Sequence, residues 1–144
     1  MSFETKEDKE LNGFKCLYII RGIPGSGKST LALQMYRSGM IDDFFEADDY
    51  FVTDEGYVFN PQELQKAHQK CQKDVRESLQ LGLTVAVSNT SVQEWEVKTY
   101  EDIAKECNAV VVSLIVENRH GNKSIHSVPD DKIERMKQKF SVKL

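Results

Sequence analysis

With 144 residues and a formal net charge of −4, the chain suits a single domain with a modest core. That size excludes an elaborate substrate domain, and that charge excludes a global basic field for nucleic acid, so any nucleic-acid contact has to be local. Charge is uneven, with seven basic against three acidic side chains between Arg119 and Lys143. Cys16, Cys71 and Cys107 are odd in number and lack metal-ligand spacing, which argues against a disulfide framework. Met1 to Glu10 is polar and no run reaches the length of a membrane span, so an intracellular, soluble, cytoplasmic protein with no membrane partner is expected.

Residues 1–13 lack apolar periodicity and are expected to form a flexible arm ahead of a domain covering 14–144. Phe14 to Arg21 reads as a strand. A helix follows from the next loop to about Arg37, with Gly39 as its C-cap. Ile41 to Ala47 reads as a short second strand, and Tyr50 to Asn60 as a loop or hairpin turning at Asp54-Glu55-Gly56. Asn60, Pro61 and Glu63 give an N-cap, a first-turn proline and a capping box for a helix ending near Leu81, before Gly82. Leu83 to Ser88 is apolar throughout, as in a strand buried on both faces. Ser91 and Glu94 form a second capping box, for a helix to about Glu106, and Ala109 to Val116 reads as a last buried strand. Pro129 opens a final helix to about Phe140, with acids in its first turn and lysines in its last. Strands alternating with helices predict an α/β domain: a small parallel sheet with helices on both faces.

The loop after the first strand carries the chemistry. Gly22-Ile23-Pro24-Gly25-Ser26-Gly27-Lys28-Ser29 matches G-x-x-x-x-G-K-[ST], the phosphate-binding P-loop, without mismatch. A strand, a glycine-rich loop and a helix N-terminus together make an anion site of backbone N–H groups. The expected nucleotide-binding set is Gly22, Pro24, Gly25, Ser26, Gly27, Lys28, Ser29 and Thr30. Lys28 is expected to reach the terminal phosphates of a nucleoside triphosphate, and the Ser29 hydroxyl to coordinate Mg²⁺. In parallel sheets ligands lie outside the carboxyl ends of the strands. Here those ends are Gly22, Ala47-Asp48, Ser88-Asn89-Thr90 and Glu117.

The ordered set of Arg21 to Thr30, Ala47-Asp48-Asp49-Tyr50-Phe51, Tyr57 to Pro61, Ala67-His68, Asn89-Thr90, Trp95-Glu96, Tyr100, His126 to Pro129 and Ile133 to Met136 resembles the small P-loop kinases related to phage polynucleotide 5′-kinase. The stand-alone kinase-like domains of animal Nedd-family-ligase binding proteins resemble it further, over nearly the whole chain after the arm. The resemblance implies ATP and Mg²⁺ as cofactors and a DNA or RNA 5′ end as partner, with the γ-phosphate moved to a 5′-hydroxyl; a monomeric or weakly oligomeric protein is expected. It implies Asp48 as general base, also beside the metal with Ser29, and Asn89, Thr90 and the Phe51 position as acceptor contacts. It further implies a basic lid in which Lys123 is catalytic and Arg119 and His126 lie near the phosphates.

Departures accompany it. Phe51 stands where the phage kinase has arginine, Ser88 where an acid is usual, and Lys123-Ser124 where Arg-Asn is usual. Two other readings share the ATP half-site: a kinase of a small hydroxylated molecule such as a nucleoside, and a non-catalytic nucleotide-binding module.

Overall fold

The computed structural model describes residues 15–90, 94–121 and 128–144. The expected arm, Phe14, the Ser91 capping box, Lys123 and His126 lie outside them.

Four strands, β1 (Lys15–Arg21), β2 (Asp43–Phe45), β5 (Val85–Ser88) and β6 (Ala109–Ile115), form one sheet in the order β2-β5-β1-β6. Every pairing in it is parallel, with Leu17 opposite Val85 and Lys15 opposite Ala109. Side chains alternate across the sheet. Leu17, Ile19, Val85 and Val87 enter the larger core, with Ala67, Cys71, Val75 and Leu79 of α2 (Leu64–Gln80) and Val97, Tyr100 and Ile103 of α3 (Glu94–Glu106). Ile20 and Ala86 enter the smaller core with Ala32 and Met35 of α1 (Lys28–Arg37). Helices therefore cover both faces, as the alternation of elements predicts.

Three local expectations are corrected. β6 is not buried on both faces: it is an edge strand, and Val110 and Ile115 are 46% and 40% exposed. An apolar run by itself does not distinguish a central strand from an edge strand. β2 is shorter than Ile41 to Ala47, because Ala47 already belongs to a 3-10 turn over Ala47–Phe51. Glu63 closes no capping box; its carboxylate accepts the Tyr50 hydroxyl at 2.6 Å. The Asn60 cap does form, accepting Gln62 N–H at 3.0 Å before a 3-10 turn and α2. The hairpin also forms, β3 (Val52–Thr53) pairing antiparallel with β4 (Gly56–Tyr57).

Arg21, at the end of β1, is 2% exposed and was not legible as a core residue. Its guanidinium donates to Ser141 O at 2.6 Å and to Glu94 at 3.4 Å, and lies 4.9 Å from the centre of the Phe140 ring. These contacts fasten the segment after α4 (Asp130–Lys139) to the start of α3.

Candidate active site

The P-loop joins β1 to α1 and holds left-handed backbone at Gly25 (φ 82°) and Gly27 (φ 104°), a region costly for other residues. Gly22 N–H donates to Thr90 O at 3.3 Å, and Ser26 N–H to Ile23 O at 3.1 Å. A Cβ on Gly22 would lie 2.4 Å from Ser26 Oγ and 2.9 Å from Val116 O. The second of these contacts is with backbone, so Gly22→Ala is expected to displace the loop. A fall of roughly 1–3 kcal/mol in stability from overpacking is predicted for denaturant unfolding, with weaker nucleotide binding alongside. Ser26 Oγ is buried and has no hydrogen-bond partner among the described residues. Buried polar atoms normally have one, so an uncommitted hydroxyl in a cradle of N–H groups fits a site built for phosphate oxygens.

Lys28 Nζ donates to Ile23 O at 3.1 Å, folded back along the loop. Burial pushes its ammonium below the ordinary lysine value, and the negative charges of Glu46 and Asp48 oppose that shift. Both carboxylates therefore belong to the same cleft as the lysine. Ser29 Oγ donates to Glu46 Oε2 at 2.6 Å, and Ser88 Oγ donates to the same oxygen at 3.2 Å. Glu46 was not singled out in the sequence, although it directly precedes Ala47-Asp48 at a strand end, where the strand-end rule applies equally.

Asp48 Oδ1 accepts the Tyr57 hydroxyl at 3.3 Å. Desolvation first, then the charge of Asp48, pushes the Tyr57 phenol up to about 12. Asp49 accepts Glu46 N–H at 3.2 Å, and desolvation followed by the charge of Glu46 raises its carboxyl above the usual range. Phe51 does not face the cleft: it is 3% exposed, and its ring packs edge-on against Tyr50, Tyr57 and Phe59. An aromatic at that position gains more from the core than from water. Its neighbours Tyr57 and Phe59 remain 36% and 45% exposed, and of the two it is Tyr57 that reaches Asp48.

Asn89 also turns inward. Its oxygen accepts Ala47 N–H at 2.8 Å, and its amide donates to the Tyr100 hydroxyl at 3.2 Å. Asn89→Leu would leave both groups without that partner, at a predicted cost of about 1–3 kcal/mol in chemical denaturation. Thr90 stays at the cleft through its carbonyl bond to Gly22. Arg119 is 84% exposed and pairs with Glu117 at 2.6 Å. Its neighbour His120, unremarked in a polar stretch of sequence, places Nε2 3.0 Å from Ser26 O. Among the described residues, no group of three or more His, Cys, Asp or Glu side chains is placed to hold a metal ion. Mg²⁺ keeps waters and phosphate oxygens and needs only one or two protein ligands, so Ser29 and a nearby carboxylate fit it.

A glycine-rich anion cradle at the carboxyl edge of a parallel sheet agrees with the family whose pattern, described as AAA domain, matches residues 17–142. The chain belongs to that family. This AAA domain is similar to NEDD4-binding protein 2 of Homo sapiens, 28% identical over 132 residues, covering 86% of this chain and 8% of that protein. The chain thus spans a small part of that relative's length. Among solved structures it resembles a chain of the Pnkp1/Rnl/Hen1 RNA repair complex, at 18% identity and a TM-score of 0.70, over 88% of this chain and 44% of that one. It also resembles an APS kinase from Mycobacterium tuberculosis in complex with AMPPNP and APS, at 13% identity and a TM-score of 0.56, over 85% and 68% of the two chains. At these identities the likeness is one of fold. The AAA domain here has a P-loop kinase-like fold, and none of its described helices is long and apolar enough to cross a membrane.

Proposed function

We propose that this AAA domain is an ATP-dependent kinase that moves the γ-phosphate to the 5′-hydroxyl of a polynucleotide. The observation that carries the reading is the placement of Asp48. Its carboxylate acts on the charge of Lys28, which puts it in the P-loop cleft, and it accepts a hydroxyl, that of Tyr57, at 3.3 Å. The fold likeness to a chain of an RNA repair complex and the half-exposed ring of Tyr57 at Asp48, with that of Phe59 in the same aromatic cluster, support a nucleic-acid acceptor.

In this reading the loop N–H groups and Lys28 bind the β- and γ-phosphates. Ser29 and a neighbouring carboxylate hold Mg²⁺, which when bound neutralises charge on the terminal phosphates. The acceptor 5′-hydroxyl replaces the Tyr57 hydroxyl at Asp48. Asp48 orients it and takes its proton as the new O–P bond forms and the γ-phosphorus bond to the bridging oxygen breaks. ADP leaves with that electron pair. Thr90 borders the acceptor, and Asn89 acts one step back by fixing Ala47, next to Asp48. Arg119, Lys123 and His126 are assigned to the lid that neutralises the moving phosphoryl group, so Arg119 has to trade Glu117 for phosphate.

Equilibrium binding tests the acceptor. With a non-hydrolysable ATP analogue bound, single strands ending in a 5′-hydroxyl are expected to bind more tightly than the same strands ending in a 5′-phosphate, with affinity falling as salt rises. Equal binding of the two ends, or saturation by a free nucleoside in their place, would contradict a polynucleotide acceptor.

A further inference from the structure

The acid hydrogen-bonded to Ser29 of the P-loop directly follows β2; β5 ends instead in the uncharged Ser88. We infer that Glu46 is the carboxylate that shares the divalent cation with Ser29, a role distinct from that of Asp48 toward the acceptor. The inference rests on the reading of the P-loop cleft as an ATP site, but not on the identity of the acceptor.

Four observations converge on Glu46. Its Oε2 receives the Ser29 hydroxyl at 2.6 Å, so it stands at the position from which a cation held by that hydroxyl is reached. The same oxygen receives Ser88 Oγ at 3.2 Å, and Ser88, 3% exposed at the end of β5, carries no charge. Of the other cleft carboxylates, Asp48 is engaged with Tyr57 and Asp49 with Glu46 N–H. The position of Glu46 is fixed as well: it precedes the 3-10 turn, its carbonyl accepting Asp49 N–H at 3.1 Å.

Electrostatics gives the arrangement a sign. A carboxylate hydrogen-bonded to the P-loop serine faces the phosphates, and like charges repel strongly at such range. Glu46 therefore opposes binding of metal-free ATP and favours ATP that carries a cation between the phosphates and the carboxylate. Ser29 then exchanges its bond to Glu46 for the metal, while Ser88 keeps the carboxylate aimed.

The test uses AMPPNP and Mn²⁺ with the full chain. Calorimetry gives AMPPNP affinity with and without Mn²⁺, and electron paramagnetic resonance reports protein-bound Mn²⁺, so neither readout needs turnover. In the wild type, Mn²⁺ is expected to tighten AMPPNP binding. In Glu46→Gln this tightening should shrink about 10–100-fold, while metal-free AMPPNP binds as well as or better than to the wild type. The double variant Glu46→Ser/Ser88→Asp moves the carboxylate across the 3.2 Å contact and is expected to recover the Mn²⁺ effect. Glu46→Gln with undiminished Mn²⁺ linkage would overturn the inference. So would loss of metal-free affinity in that variant, which would mark Glu46 as a structural cap only. A wild type that binds no AMPPNP with or without Mn²⁺ would instead overturn the parent reading of the ATP site.

Discussion

Lys28→Met is expected to lower kcat/KM for ATP by about 10²–10³-fold, the scale seen when one preorganised donor is removed from developing transition-state charge. The protein should stay folded. Burial holds the Lys28 ammonium below its ordinary pKa, so the folded chain already bears a cost for that charge, and an apolar side chain of similar length removes it. Thermal denaturation should therefore show no loss of stability while ATP turnover collapses. The same shift predicts a pH dependence. Phosphates beside Lys28 favour its protonated form, so the bound state holds the proton to higher pH than the free state. ATP affinity should then weaken as pH rises through the lowered lysine range, and this dependence should vanish in Lys28→Met. A variant that loses turnover only because it unfolds would remove Lys28 from the chemistry.

Asp48→Asn separates binding from chemistry. The amide keeps the size of the side chain but cannot take the proton of the attacking hydroxyl, and loss of general-base help is worth about 10²–10⁴-fold in kcat. ATP affinity should be unchanged or slightly tighter, because a negative charge has been removed from a cleft that receives phosphates. Steady-state kinetics beside direct nucleotide titration reads both quantities. A fall in affinity with kcat preserved would move Asp48 from base to nucleotide ligand and undo the acceptor assignment.

The sheet, the helices on its two faces and the P-loop follow from local patterns: a β5 of Val85, Ala86 and Val87 closed by Ser88, the i, i+4 burial of Ala67, Cys71, Val75 and Leu79, and glycines at Gly25 and Gly27 with positive φ. Those signals depend on neighbours in sequence. The misjudged features depend on neighbours in space. That β6 lies at the sheet edge is a property of topology, which its run of apolar residues does not record. The resemblance implies an acceptor contact at the Phe51 position, yet the rings of Tyr50, Tyr57 and Phe59 draw Phe51 inward. Asn89 sits at a strand end as expected, but a backbone N–H 42 residues away in sequence, at Ala47, claims its oxygen. Glu46 carries no sequence signature, because an isolated glutamate before Ala47 has no motif. Only the folded chain brings Ser29, from the first loop, and Ser88, from β5, to one of its oxygens.

The most direct measurement is transfer of labelled γ-phosphate from Mg·ATP to a 5′-hydroxyl oligonucleotide, with Asp48→Asn run beside the wild type. The account predicts labelled oligonucleotide from the wild type and at least about 10²-fold less from the variant. Label that appears only on a nucleoside, or no transfer by a protein that still binds ATP, would contradict it.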